Sequence, residues 1–129
     1  RLILNFGHTF AHAIEMATEF LFKKEYYRHG EAVGLGILCE LYYANKGNSK
    51  LLKTTENILK KYNLPIIIDK GNFEQRKQIL ITNIYKNIFL DKKKISRYPR
   101  YIFMKKLYNS KIKELHDNNF LLQTINNFI

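Results

Sequence analysis

The feature that most constrains the fold is a stretch around residue 35 that is apolar on every side. Residues 32–39 read AVGLGILC, so a helix over about 30–46 has almost no polar face there. A helix that is hydrophobic all round has to be surrounded by other elements. Gly34 and Gly36 each lower helix propensity by about 1 kcal/mol relative to alanine, a cost that close approach by another helix or a ligand would offset. The sequence therefore predicts a buried helix with other helices around it.

Neighbouring segments carry the patterns of those surrounding helices. Apolar residues recur three and four apart through the first segment, which is the spacing of one helical face. Capping residues mark further starts: Asn48 or Ser49, then Asn72, then Asp117. The ranges predicted for these helices are about 7–22, 48–62, 72–90 and 117–128, the third of them with a break in the middle as an open alternative.

The pattern changes beyond Pro99. Tyr101 to Met104 and Lys111 to Leu115 read as two short strands around a turn at Asn109 and Ser110. No repeat and no Gly/Ser-rich linker divides the chain, so residues 1–129 are predicted to form a single domain. The predicted fold class is mainly α, a multi-helix domain with a small β-hairpin near the C-terminus. Because the chain opens on Arg1 rather than methionine, we treat it as a piece of a longer protein.

Composition adds a weaker signal. The net charge is +11, from 22 basic and 11 acidic residues. A basic surface attracts anionic metabolites or nucleic acid, but lysines spread along the chain favour compositional drift, and a basic RNA-binding helical domain is one alternative. No run reaches the roughly 18–20 apolar residues of a membrane span. Cys39, the one cysteine, excludes an internal disulfide and is predicted to be a buried structural thiol.

The residues most suited to chemistry open the chain. His8 and His12 lie four apart on the first predicted helix, so both rings project from one face and could bind one metal ion. Ordinary surface or capping histidines have the same spacing. Arg1 and Asn5 extend the series at offsets of four and three, and could form one polar stripe with the histidines if helical structure begins early. Such a stripe could bind an oxygen-rich anion.

Two further clusters follow. His29 stands immediately before the buried helix and could reach His8 if the two helices pack antiparallel, whereas Glu31 has a sufficient role as a helix cap. Asp91 opens a run of three lysines, residues 92–94, which is either a solvated turn or a source of a lysine for a phosphate or carboxylate. His116 is predicted to be a surface residue.

These clusters, in this order, resemble 3-dehydroquinate synthase. The matching motifs are LNFGHTFAHAIE at residues 4–15, HGEAV at 29–33 and DKK at 91–93, with Leu64 and Pro65 as an intermediate landmark. The first motif is long and specific, and the resemblance spans nearly the whole chain. Three departures are visible: Ala11 replaces a usual glycine, the connection over 20–28 is longer than expected, and residues 96–99 replace a usual glycine.

The resemblance implies a role for each matching residue. His8 and His29 would be the two histidine ligands of Zn²⁺ or Co²⁺, with a third ligand, a glutamate, upstream of Arg1. His12 would then handle protons on the substrate side rather than bind metal. Arg1, Asn5 and Lys92 would hold the substrate's carboxylate, hydroxyls or phosphate, with Lys93 an open alternative to Lys92.

The resemblance also implies a reaction and its partners. The substrate would be the sugar-acid phosphate DAHP, converted to 3-dehydroquinate with loss of phosphate in the shikimate pathway, by a cytoplasmic homodimer. NAD would oxidise a substrate hydroxyl transiently, and its binding domain, N-terminal in the family, is absent from this chain, so the fragment alone is expected to be inactive. Besides the RNA-binding alternative, two rivals stay open at this point: a related sugar-phosphate cyclase, and an incomplete fragment that acts as a binding module.

Overall fold

The helix predicted to be buried is the element around which the others pack. A computed structural model describes residues 5–72, 74–90, 98–106 and 109–129. Within these ranges the chain forms five helices and a two-stranded hairpin, which confirms the predicted fold class. The elements are α1 (His8–Phe22), α2 (His29–Ala44), α3 (Lys50–Lys61), α4 (Gln75–Leu90), β1 (Arg100–Lys106), β2 (Asn109–Glu114) and α5 (Asn118–Asn127).

Helix α2 is covered on several sides. It packs against α1, α3, α5 and β1, while α4 closes the far side of α1. Leu38, Glu40 and Leu41 point in different directions around the helix, yet each is at most 1% exposed. Cys39 is buried beside them, as predicted, and burial raises the pKa of its thiol. None of the described helices is both long and apolar enough to cross a bilayer.

The glycines of α2 permit a close backbone contact. A Cβ atom built on Gly36 would lie 2.0 Å from the carbonyl oxygen of Gly7, which immediately precedes α1. Gly7 itself has φ +83°, a left-handed conformation that side chains other than glycine adopt rarely. The chain therefore enters α1 through a glycine turn that rests directly on α2.

Two of the predicted helix caps are confirmed and one is wrong. Ser49 Oγ accepts a hydrogen bond from the Leu52 amide at 3.1 Å, and Asp117 Oδ1 accepts one from the Phe120 amide at 3.0 Å. Asn72 does not cap α4, because Gly71 has φ +77° and places Asn72 in a turn. Helix α4 begins only at residue 75 and continues without a break to residue 90.

The hairpin lies where it was predicted, but the two residues predicted to form its turn lie in a strand. Strands β1 and β2 pair antiparallel, with Asn109 opposite Lys106 and Ser110 opposite Met104. Asn109 and Ser110 therefore belong to β2, and the prediction that they form the turn is wrong. Backbone pairing between the two strands continues through both residues and overrides their preference for a turn.

A buried carboxyl group fastens the hairpin to α2. Glu40 is fully buried, and its Oε1 accepts a hydrogen bond from the Ile102 amide at 3.0 Å. Its Oε2 forms no hydrogen bond within the part of the chain that the structure describes. Burial raises the pKa of Glu40 to about 8, because the charged form loses its hydration. The carboxyl group is therefore largely neutral near pH 7.

The first prediction concerns the contact between Gly36 and Gly7. We expect Gly36→Ala to lower the free energy of unfolding by about 1–3 kcal/mol or more, because backbone atoms must move to admit the methyl group. Gly30→Ala is the matched control, since a Cβ there meets nothing within 4 Å. Urea unfolding of both variants is the measurement, and equal stability would contradict the close contact.

The second prediction concerns Glu40 and pH. Its folded-state pKa, about 8, lies above the ordinary value of 4.5, so its stabilising contribution is complete below pH 4.5 and is lost as pH rises through 8. Glu40→Gln cannot ionise, so we expect it to be more stable than the wild type at pH 9, by about 1–3 kcal/mol. At pH 5 this advantage should disappear.

Urea unfolding at pH 5, 7 and 9 measures the difference. Glu19→Gln, a change at an exposed position of α1, is the control and should leave the pH profile unchanged. Parallel pH profiles for the wild type and Glu40→Gln would show that folding does not raise the pKa of Glu40 above its ordinary value.

A candidate metal site where two helices begin

Three of the predicted site residues meet in the folded chain. His8 is the first residue of α1, His12 lies one turn later, and His29 is the first residue of α2. The ring centroids of His8 and His29 are 5.2 Å apart, those of His8 and His12 are 5.7 Å apart, and those of His12 and His29 are 5.9 Å apart. The three imidazoles thus surround one small volume.

The packing of α1 on α2 explains why they meet. Gly7 contacts α2 at Gly36, and about two turns further along α1, Glu15 contacts His29. Contacts that advance along α1 while they retreat along α2 show that the two helices run in opposite directions, which is the condition under which His29 was expected to reach His8. The first half of α1 therefore lies beside the first half of α2, and the histidines of both helices share that interface.

The site contains a carboxylate that the sequence analysis did not single out. Glu15 Oε2 lies 3.0 Å from Nδ1 of His29, and the side chains are 28% and 54% exposed, respectively. Potential ligand atoms of His12, Glu15 and His29 all lie within 4.8 Å of one another. His8 makes a different contact, from its Nδ1 to the carbonyl oxygen of Phe6 at 3.3 Å. Glu15 follows His12 by three residues, so helical spacing alone could have placed it on the same face.

The connection that leads into His29 is anchored by two tyrosines. Tyr27 is buried; its hydroxyl accepts a hydrogen bond from the Asp69 amide at 2.9 Å and lies 3.4 Å from the Ile67 carbonyl oxygen. Tyr26 donates a hydrogen bond to the Asp69 carboxylate. Burial raises the pKa of Tyr27 to about 12, and the bond from Tyr26 lowers the pKa of Asp69. Both tyrosines therefore tie residues 26–27 to the segment between α3 and α4.

That segment is itself bonded to the end of the chain. The Ile68 amide donates a hydrogen bond to the carbonyl oxygen of Phe128 at 2.6 Å, immediately after α5. Ile68 and Phe128 are both buried in the core. A continuous set of contacts thus runs from the C-terminal residues through Asp69 to the residues before His29.

The other residues predicted for the site do not join the histidine cluster within the described part of the chain. Asn5 is exposed and lies in a turn before Gly7. The left-handed φ of Gly7 interrupts helical spacing between Asn5 and His8, so the early helical start that one continuous stripe requires is not met. Arg1, Lys92 and Lys93 lie outside the described residues.

The predictions of a structural role for Glu31 and a surface position for His116 are confirmed. Glu31 Oε1 accepts a hydrogen bond from the Arg28 amide at 2.8 Å and so caps the start of α2. His116 is exposed, and its Nδ1 lies 3.1 Å from the carbonyl oxygen of Glu114 on β2. Neither residue approaches the three clustered histidines through these contacts.

Comparison with known proteins agrees with this arrangement of motifs. The family model described as 3-dehydroquinate synthase C-terminal matches residues 1–94. The chain belongs to the 3-dehydroquinate synthase family.

Individual relatives extend the similarity to nearly the whole chain. A 3-dehydroquinate synthase of Vesicomyosocius okutanii is 35% identical over 99% of this chain and 33% of the relative. One from Clostridium acetobutylicum is 38% identical over 81% of the chain and 27% of the relative. One from Campylobacter jejuni is 30% identical over 99% of the chain and 34% of the relative. The chain thus spans about a third of the length of these family members.

The third prediction concerns the tyrosine anchors. Tyr27→Phe removes the hydroxyl that binds the Asp69 amide, so we expect the free energy of unfolding to fall by about 1 kcal/mol. Tyr62→Phe, at a side chain that is 66% exposed, is the matched control and should have little effect. Thermal and urea unfolding provide the comparison. If the free energy of unfolding of Tyr27→Phe equals that of the wild type, the hydroxyl contributes no net stability.

Proposed function

We propose that this chain forms the metal- and substrate-binding part of a 3-dehydroquinate synthase, which converts DAHP to 3-dehydroquinate and phosphate in the shikimate pathway. The observation that supports this proposal most strongly is that His8, His12 and His29 lie together in a chain of this family. In the complete protein, an N-terminal part would bind the NAD that turnover requires. We further propose a cytoplasmic homodimer for the complete enzyme.

His8 and His29 would hold the catalytic Zn²⁺ or Co²⁺, together with a glutamate from the preceding part of the protein. Two imidazoles bound tetrahedrally to zinc at about 2.0–2.1 Å have ring centroids about 5 Å apart. The 5.2 Å separation of His8 and His29 fits that arrangement better than either distance to His12. The donor set also suits zinc, since two imidazoles and one carboxylate leave a position for substrate oxygen.

The bound metal and NAD would together supply the transient oxidation of a substrate hydroxyl, which makes the neighbouring proton acidic enough for phosphate to leave. The chain's own residues would orient the substrate and move protons. His12 is exposed at the edge of the cluster, where its ring can reach a substrate held beside the other two histidines. An imidazole accepts and donates protons readily near neutral pH.

The substrate's anionic groups require cationic and hydrogen-bonding partners. Arg1 would bind carboxylate or phosphate through the paired N–H groups of its guanidinium, and Lys92 or Lys93 would add a point charge. Asn5 is exposed two residues before Gly7, near the start of α1, and could bind a substrate hydroxyl. The net charge of +11 favours the approach of such an anion.

The fourth prediction separates the two histidines of α1 in the complete protein that carries this chain. His8→Ala should lower both metal content and turnover, because it removes a ligand. His12→Ala should leave metal content near normal and lower turnover by about 10²–10⁴-fold, the range for a lost proton-transfer group. Metal analysis and DAHP turnover on the purified variants make the test.

His116→Ala is the matched control, since His116 is exposed and hydrogen-bonded beside β2. It should change neither metal content nor rate. Equal loss of metal from the His8 and His12 variants would instead assign both residues as ligands. Normal metal content in His8→Ala and in His29→Ala would overturn the proposed metal site.

A further inference from the structure

We propose that Glu15 is a positioning residue for the metal site, which holds the imidazole of His29 in the tautomer and orientation that binds metal through Nε2. The inference rests on the proposed function, because it takes His29 to be a metal ligand. It concerns a residue that neither the motif spacing nor the family resemblance led us to assign.

The hydrogen bond between the two side chains fixes the tautomer. An ionised carboxylate accepts hydrogen bonds and cannot donate them. Because Glu15 Oε2 lies 3.0 Å from Nδ1 of His29, the proton of a neutral His29 ring must be on Nδ1. Nε2 then carries the free lone pair, which is the form that a metal ion requires.

His8 has the same arrangement with a different acceptor. Its Nδ1 lies 3.3 Å from the carbonyl oxygen of Phe6, and a carbonyl oxygen also only accepts. Both proposed ligands would therefore present Nε2 to the shared volume, one held by a carboxylate and one by the backbone. Histidines that bind metals usually donate their second N–H group in this way, and the acceptor fixes the ring.

His29 needs such an acceptor more than His8 does. His8 is half-buried at the entry to α1, whereas the side chain of His29 is 54% exposed at the start of α2. Without a partner, an exposed histidine can rotate about both of its side-chain bonds. Glu15 projects from α1, so its bond to His29 also links the two helices on which the ligands lie.

The alternative to a positioning role is that Glu15 itself binds the metal ion. Potential ligand atoms of His12, Glu15 and His29 lie within 4.8 Å of one another. In that arrangement Glu15 and His12 would both bind the ion and His8 would not. The existing bond from Glu15 to Nδ1 of His29, and the shorter centroid distance between His8 and His29, favour the positioning role.

Zinc affinity of the complete protein, measured by competition with a chromogenic chelator, tests the inference without reference to turnover. We expect Glu15→Ala to bind Zn²⁺ about 10–100-fold more weakly, the usual effect of losing an outer partner of a ligand. Glu15→Gln should lose less, because its amide oxygen still accepts the bond from Nδ1. Glu19→Gln, one turn further along α1 and exposed, is the matched control and should bind normally.

The visible spectrum after saturation with Co²⁺ separates positioning from ligation. If Glu15 only positions His29, saturated Glu15→Ala should have the wild-type spectrum, because its ligand set is unchanged. A changed spectrum, with equal loss of affinity in Glu15→Gln and His12→Ala but not in His8→Ala, would make Glu15 a ligand and overturn the inference. Wild-type zinc affinity in Glu15→Ala would also overturn it. If His8→Ala and His29→Ala both bind zinc normally, the proposed metal site itself fails, which is a separate outcome.

Discussion

The contact between the backbones of Gly7 and Gly36 is the constraint on which the rest of the structure depends. A side chain at residue 36 would overlap the carbonyl oxygen of Gly7, so the turn before α1 can rest on α2 only because both positions are glycine. This contact fixes the position along α2 at which α1 begins. Because α1 is one continuous helix, its starting position also sets the position of every later residue, and so His8, His12 and Glu15 come to lie beside His29. The burial of α2 against α1 and the histidine cluster are therefore two results of the same helix pairing.

The hairpin reinforces that pairing from the opposite end of the sequence. Thr9 Oγ1 donates a hydrogen bond to the carbonyl oxygen of Arg100 at 2.6 Å, and Glu40 accepts one from the amide of Ile102. One bond comes from α1 and the other from α2, so β1 bridges the two helices next to the site. The strand thus limits relative sliding of α1 and α2, although it contributes no ligand of its own. A neutral Glu40 suits this role, because a charged carboxylate would be poorly solvated there.

The sequence predicted the elements better than their ends. The helical patterns and the caps at Ser49 and Asp117 were recognised because they depend on local chemistry. Asn72 and Asn109 were misplaced because local propensity could not show that a glycine turn and an extended strand ladder would take precedence. Spacing places His8, His12 and Glu15 on one face of α1, but it cannot show the contact between Glu15 and His29, which exists only because α2 packs on α1.

The bond from Ile68 to Phe128 has a consequence for how the protein is made. The clustered histidines come from the first part of this chain, but residues 26–27, just before His29, are held by a segment that packs on its last residues. A ribosome releases the polypeptide from the N-terminus onward. The histidines therefore leave the ribosome long before their full support exists, and the connection before His29 cannot gain its final packing until Phe128 has emerged. During synthesis, the nascent chain must carry these three histidines through a period in which their relative positions are not yet fixed.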